Sequence, residues 1–451
     1  MVRVVFIHPD LGIGGAERLV VDSSLALQVK DHSTVIVTAH HERSHCFTET
    51  ISGECEVVCL GDWLPRDIMG RCQALCASIR MVYITLYVML VLQADVVIVD
   101  QVSTPLPLLR AAGFPTIFYC HYPDLLLSTG RSFLKSLYRV PLDWLEQTTT
   151  GTADTVLVNS NFTRGVFRET FQRLSHIQPQ VLYPSLAMHM FEGKGSRPEQ
   201  VPEDTSVTTF LSINRYERKK NIALAIRAFA KLPRGKSRLI VAGGYDSRVL
   251  ENVEHHQELV ELAESLSVSD RVIFLRSFSD EEKVWLLKRS SCLVYTPAGE
   301  HFGIVPLESM YCRTPVIAVN SGGPMETVLH ETTGIDPLLS LSRNPDCGAG
   351  WLCEGDPDQF SAVMRRIVGG EVSLDKMGEA GHERVMENFS FAAFTDSLHD
   401  VVVDTAALSL ADDRRETARG GTTLFTKFAL AFHFGLAMMV LYWMVFYTPL
   451  P

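Results

Sequence analysis

Short β-branched and apolar runs recur along this chain, each closed by a turn and followed by a helical stretch. In the first half the runs are Val2–Ile7, Thr34–Thr38, Val96–Val99, Thr116–Tyr119 and Thr155–Val158. In the second half they are Thr208–Ile213, the run from Leu239 to Gly243, Val272–Leu275, Ser291–Tyr295 and Pro315–Val319. Strands alternating with helices form parallel sheets with right-handed crossovers. A chain of 451 residues exceeds what one such core holds, so two α/β domains and an appendage are predicted. The Pro-, Ser- and Glu-rich stretch 178–206 reads as the linker between domains 1–177 and 207–388. An irregular insertion is placed at 335–349, an apolar helix at 389–410 and a polar linker at 411–423. The last stretch, 424–447, includes twenty residues from Phe428 to Tyr447 with no Asp, Glu, Lys or Arg, long enough to span a bilayer.

The strand Ser291–Tyr295 runs into a turn, Gly299 to Gly303, and then into a helical pattern. Glycine backbone in such a turn can approach a ligand, and a helix start offers partial positive charge to phosphate. Two carboxylates, Glu300 and Glu308, flank the turn, and carboxylates accept hydrogen bonds from sugar hydroxyls. With Glu300 at the helix start, both would look to one side. Earlier, four cations fall in the six residues Arg215 to Lys220, just beyond a strand. That placement suggests a diphosphate clamp, set against a solvated basic loop. The first strand leads to a turn with Gly14 and Gly15 and then a helix. Phosphate approach and tight strand–helix packing both remain open there, and the Gly-x-Gly-x-x-Gly dinucleotide fingerprint is not met. His121 follows the Thr116–Tyr119 strand, at the sheet edge where ligands of parallel sheets bind.

Glu300-His-Phe-Gly-Ile-Val-Pro-Leu-Glu308 resembles the Glu-x7-Glu motif of the glycogen-synthase-like retaining glycosyltransferases. The resemblance implies a GT-B fold, two facing Rossmann-like domains with parallel sheets. It also implies that Glu300 lies by the donor sugar and that Glu308 holds the ribose hydroxyls. Arg215 and Lys220 would grip the nucleotide diphosphate, Gly14 and Gly15 would approach it, and His121 would contact the donor hexose. Gly243 would lie in a turn by the nucleotide, and Phe302, Gly303 and Ile304 on the donor loop. Neighbouring stretches, among them His8 to Val20 and Ser212 to Asn221, are similar to the mannosyltransferases of the dolichol-linked oligosaccharide pathway. That family implies GDP-mannose as donor, a dolichyl-diphosphate-linked Man-GlcNAc2 acceptor, and α-1,3 and α-1,6 linkages made with retention. It further implies the endoplasmic reticulum membrane, catalytic domains on the cytosolic face, and other early dolichol-pathway mannosyltransferases as partners. Two departures stand out: Pro324 falls one place early after Gly322 and Gly323, and 335–349 interrupts the usual turn.

The net charge of −11 argues against nucleic acid as partner. Ten scattered cysteines suggest neither a zinc ribbon nor a disulfide framework, and no metal is expected. The positive residues Arg414, Arg415, Arg419 and Lys427 before the last apolar stretch place the catalytic domains in the cytosol. Met81–Leu92 reads as a buried helix or as one lying in a membrane interface, with Arg71 and Arg80 at headgroups. The alternatives kept are another nucleotide-sugar-dependent lipid glycosyltransferase and a non-catalytic membrane-anchored scaffold.

Overall fold

A computed structural model describes residues 1–68, 72–127, 133–328 and 348–416. They divide into two units, Met1–Pro184 joined by the chain from Phe391, and Ser185–Ser390. In the first unit the strands are β1 (Arg3–His8), β2 (Ser33–Thr38), β3 (Val57–Cys59), β4 (Val96–Asp100), β5 (Thr116–Cys120), β6 (Thr155–Val158) and β7 (Gln180–Val181). They pair in parallel in the order β3-β2-β1-β4-β5-β6-β7. The second unit holds β8 (Thr208–Ile213), β9 (Ser237–Gly243), β10 (Val272–Arg276), β11 (Cys292–Tyr295), β12 (Val316–Val319) and β13 (Gly350–Cys353). Their parallel order is β10-β9-β8-β11-β12-β13.

Helices cover both faces of each sheet, so the strands read as near-continuous apolar runs. Val4, Val5 and Ile7 of β1 and Phe210 and Leu211 of β8 are fully buried. Each such side chain contributes about 1.5–3 kcal/mol through burial. The strand order reverses between β1 and β4 in one unit and between β8 and β11 in the other. Each reversal opens a crevice beyond the carboxyl ends of the strands, where α/β proteins bind ligands.

Three strands were not foreseen, β3, β7 and β13, each of two to four residues and each at a sheet edge. The stretch 178–206 is not all linker, since Gln180–Val181 pairs with Leu157 and Val158 of β6. The helix after Ser390 runs Phe391–Glu416, beyond the expected end at 410. Its Phe394, Leu398 and Val402 join the core of the first unit. Of the insertion at 335–349, residues 335–347 lie outside the described residues, as does the apolar stretch 424–447.

Helix Gln73–Val91 is longer than the Met81–Leu92 run, and is the one helix among the described residues long and apolar enough to cross a membrane. Cys76, Met81, Ile84 and Val88 pack inward, while Leu86, Leu90 and Val91 are exposed. Arg80 is not at a headgroup position: it is buried and its guanidinium donates to the Ala39 carbonyl, 2.7 Å away. Arg71 lies outside the described residues.

Candidate active site

The residues proposed for chemistry fall into two sets, one on each unit. In the second unit, the loop after β8 distributes its four cations. Arg218 turns to Glu254 and Glu258 of helix Leu250–Ser265, and Lys219 turns to Glu217. Arg215 is two-thirds exposed and 3.2 Å from Glu217. Lys220 Nζ donates to Glu300 Oε1 at 2.5 Å, from a loop whose Lys220 carbonyl accepts from Thr296 Oγ1. The two residues expected at donor phosphate and donor sugar therefore meet in an ion pair.

Glu300 is not at a helix start. Helix Ile304–Tyr311 begins after Gly303, whose φ of 82° suits glycine, and Glu300 stands in the preceding loop. The turn Ser321 to Gly323 supports that loop. Gly323 N–H donates to the Glu300 carbonyl at 2.7 Å, and Ser321 Oγ accepts from Gly299 N–H at 3.1 Å. A Cβ on Gly322 would sit 2.4 Å from the Glu300 carbonyl oxygen, and one on Gly323 would sit 2.2 Å from that of Phe302. These two glycines thus permit backbone to lie against backbone, and the early Pro324 simply opens the short helix Pro324–Thr327.

Glu308, on the helix, is buried and engaged through only one oxygen. Lys283 Nζ donates to Oε1 at 2.6 Å, while Oε2 has no hydrogen-bond partner among the described residues. Burial raises the Glu308 carboxyl, and the Lys283 ammonium opposes that rise. Lys283 was missed in the sequence, where Asp280 to Lys283 reads only as an acidic helix opening. The helix Asp280–Arg289 does open with a Ser279–Glu282 capping box, and one turn of it carries Lys283 to Glu308. Phe302 packs its ring 5.9 Å from that of Phe389, so it is a core contact of the donor loop. Ile304 is partly exposed at the first helical position. Gly243 is packed, not open: a Cβ there would lie 2.1 Å from the Asn214 carbonyl oxygen. The Asp356-Pro-Asp358 turn is structural, with Asp356 capping helix Pro357–Val368 and Asp358 pairing with Lys231.

In the first unit, Gly14 and Gly15 begin helix Gly15–Val29. Gly14 is extended, and a Cβ on it would meet the Glu17 carboxylate at 2.2 Å, whereas a Cβ on Gly15 would enter open space. His121, just past β5, is partly exposed. Its Nε2 lies 2.8 Å from Oδ1 of Asp100, off the direction of a ring N–H, and its ring tilts against Tyr119 at 4.7 Å. Asn159 Nδ2 donates to the His121 carbonyl at 3.3 Å. Asp100 and its second partner, His8, were given no chemical role in the sequence, where each stands just past an apolar run; the structure extends β1 and β4 to include them.

Comparison with known proteins defines the class. Residues 13–184 match the model for Glycosyltransferase Family 4, and residues 195–384 match Glycosyl transferases group 1. Sucrose-phosphate synthase (tll1590) from Thermosynechococcus elongatus shares the fold with a TM-score of 0.68 at 19% identity, over 90% of this chain and 100% of that one. Anabaena Alr3699/HepE in complex with UDP does so with a TM-score of 0.63 at 17% identity, over 89% and 100%. The protein is a glycosyltransferase of the GT-B class. The human alpha-1,3/1,6-mannosyltransferase ALG2 is 50% identical over 415 residues, 88% of this chain and 95% of that protein. The namesake from Rhizomucor pusillus is 41% identical over 89% and 91%, and that from Saccharomyces cerevisiae 41% over 88% and 84%. The chain belongs to the ALG2 family of alpha-1,3/1,6-mannosyltransferases.

Proposed function

We propose that this chain transfers mannose from GDP-mannose to dolichyl-diphosphate-linked Man-GlcNAc2 acceptors, forming α-1,3 and α-1,6 linkages with retention. The observation that carries the chemistry is the Lys220–Glu300 pair beyond β8 and β11. Lys220 and Arg215 stabilise the departing GDP, each well-placed donor contributing about 3 kcal/mol to the transition state. An incoming diphosphate competes with Glu300 for Lys220, and that exchange frees the Glu300 carboxylate to accept from mannose hydroxyls. Glu308 Oε2, with Oε1 held by Lys283, accepts from a ribose hydroxyl. His121 contacts the hexose, and the N–H groups at Gly14 and Gly15 approach the phosphates. The departing phosphate takes the acceptor proton. Because Arg215 and Lys220 supply the countercharge, no metal is assigned, and transfer is expected to survive EDTA. Complete loss restored by manganese would overturn that part.

The same reading places the protein on the endoplasmic reticulum membrane with both units on the cytosolic side, among other early dolichol-pathway mannosyltransferases. It is supported by the exposed Leu86, Leu90 and Val91 and by the uncharged stretch Phe428 to Tyr447. The test is transfer of radiolabel from GDP-mannose, UDP-glucose or UDP-N-acetylglucosamine to short diphosphate-lipid-linked acceptors. Label is expected from GDP-mannose alone. Transfer from a UDP sugar in its place would identify a different lipid glycosyltransferase, and no transfer from any donor would favour the scaffold.

A further inference from the structure

Ionisable groups left unassigned above meet at the carboxyl end of the first sheet. His8 ends β1 and Asp100 ends β4, the two neighbouring strands at the reversal of strand order. Both are completely enclosed. His8 Nδ1 lies 2.8 Å from Asp100 Oδ2 in an aligned hydrogen bond. Its other nitrogen, Nε2, has no hydrogen-bond partner among the described residues and lies 3.9 Å from Glu17 Oε1. A neutral imidazole has one N–H and one lone pair. A lone pair turned towards either carboxylate would be repelled, so a carboxylate bonded to one nitrogen and a second one near the other favour the form with both nitrogens protonated. The Glu17 carboxylate is seated where a Cβ of Gly14 would stand, which gives Gly14 a packing reason for being glycine.

We propose that His8 is a resident imidazolium and a positioning residue, holding Asp100 against His121 and Glu17 against the Gly14 turn. It touches neither donor nor acceptor, and acts only through these two carboxylates. The proposal rests on the donor-hexose role given to His121 above. Burial pushes the His8 ring towards neutrality, but Asp100 and Glu17 outweigh it and raise the ring to about 9. Burial pushes the Asp100 carboxyl up, but His121 and His8 outweigh it and hold it at about 2. Glu17 is likewise held below its ordinary range by His8, against burial. The other titratable groups packed here are Tyr119 and Cys120 of β5, which burial pushes well up and keeps neutral. Arg18 on the helix turns away to Asp22 and Glu49. With His8 charged, the buried charges of Asp100 and Glu17 are both met.

The experiment uses the full chain, GDP-mannose and a short lipid-linked acceptor, across about pH 6 to about pH 9. His8→Gln keeps a donor for Asp100 but cannot carry the charge. We expect kcat/KM at neutral pH to fall about tenfold and the acid limb of the profile to move up by about one pH unit, because the buried Asp100 and Glu17 carboxyls, no longer held low by His8, take up protons at higher pH. A profile parallel to that of the wild type, or undiminished activity, overturns the proposal. A variant without a cooperative melting transition is replaced by a measurement on the wild type, the ring ¹⁵N shifts of histidine-labelled protein. They should show His8 doubly protonated at about pH 8, and a ring that is neutral there overturns the proposal. A wild type that transfers no mannose while His8 remains charged would count against the assigned function and leave the His8 charge state standing.

Discussion

Lys220 and Lys283 each satisfy one carboxylate, and the consequences of losing them differ. Lys220→Ala leaves Glu300 partly in water, so the fold should survive while donor binding weakens. The expected outcome is a GDP-mannose KM raised about tenfold and a reduced kcat, with an unchanged melting temperature. Unchanged turnover at limiting GDP-mannose would remove the clamp. Lys283→Met strands a buried carboxylate. Removing one partner of a fully buried pair costs about 3–5 kcal/mol, and because the Lys283 ammonium is partly solvated the expected loss is nearer 2 kcal/mol. Glu308 then rises further and is protonated more of the time at neutral pH, where a protonated carboxyl accepts more weakly. The donor KM should therefore rise several-fold at about pH 7 and recover as pH is raised. A KM defect that is constant with pH would mean that Lys283 matters only for packing.

Between elements, a histidine pair joins the returning helix Phe391–Glu416 to the start of the chain. Val2 N–H donates to His32 Nδ1 at 3.0 Å, so His32 Nε2 carries the hydrogen and donates to His399 Nδ1 at 2.9 Å. Burial, and then repulsion from His399, keep the His32 ring below its ordinary value. The unfolded chain thus takes up this proton at a higher pH than the folded one. The stabilisation is complete above about pH 6.5 and is lost as pH falls through the lower folded value. Melting temperature should drop between about pH 7 and about pH 5, and His399→Gln, whose amide oxygen accepts the same N–H, should flatten that drop. An acid slope equal in both proteins would locate the sensitivity elsewhere.

For the whole molecule, the chain passes between the units twice, near Pro184 and near Ser390, and every residue given a chemical role precedes Glu326. Deleting Gly420 to Pro451 should therefore leave transfer to a short soluble acceptor nearly intact. It should also release the protein in part from carbonate-washed membranes, since an uncharged stretch of twenty residues goes with it. Release should be incomplete, because Leu86, Leu90 and Val91 of helix Gln73–Val91 remain exposed. A truncated protein that stays fully bound would sink the anchor, and one that is soluble but misfolded would place Phe428 to Tyr447 in the core.

By itself the sequence determined the two parallel α/β units, because strands buried on both faces must be written as unbroken apolar runs. It also determined the candidate loops, since Glu300, Glu308, Arg215, Lys220 and His121 all stand at strand ends or on the turns and helix that follow them, positions set by local pattern. Only the tertiary structure decided which charge meets which. Lys220 and Glu300 are eighty positions apart, Lys283 and Glu308 twenty-five, and His8 and Asp100 ninety-two. Each pair is made by strands or helices laid side by side, which no periodicity records. The packing duties of Gly243, Gly322 and Gly323 were hidden for the same reason: the backbone that a Cβ would strike belongs to another segment of the chain. The short strands β3, β7 and β13 exist because a sheet edge was already there to pair with, a cause that lies outside their own residues.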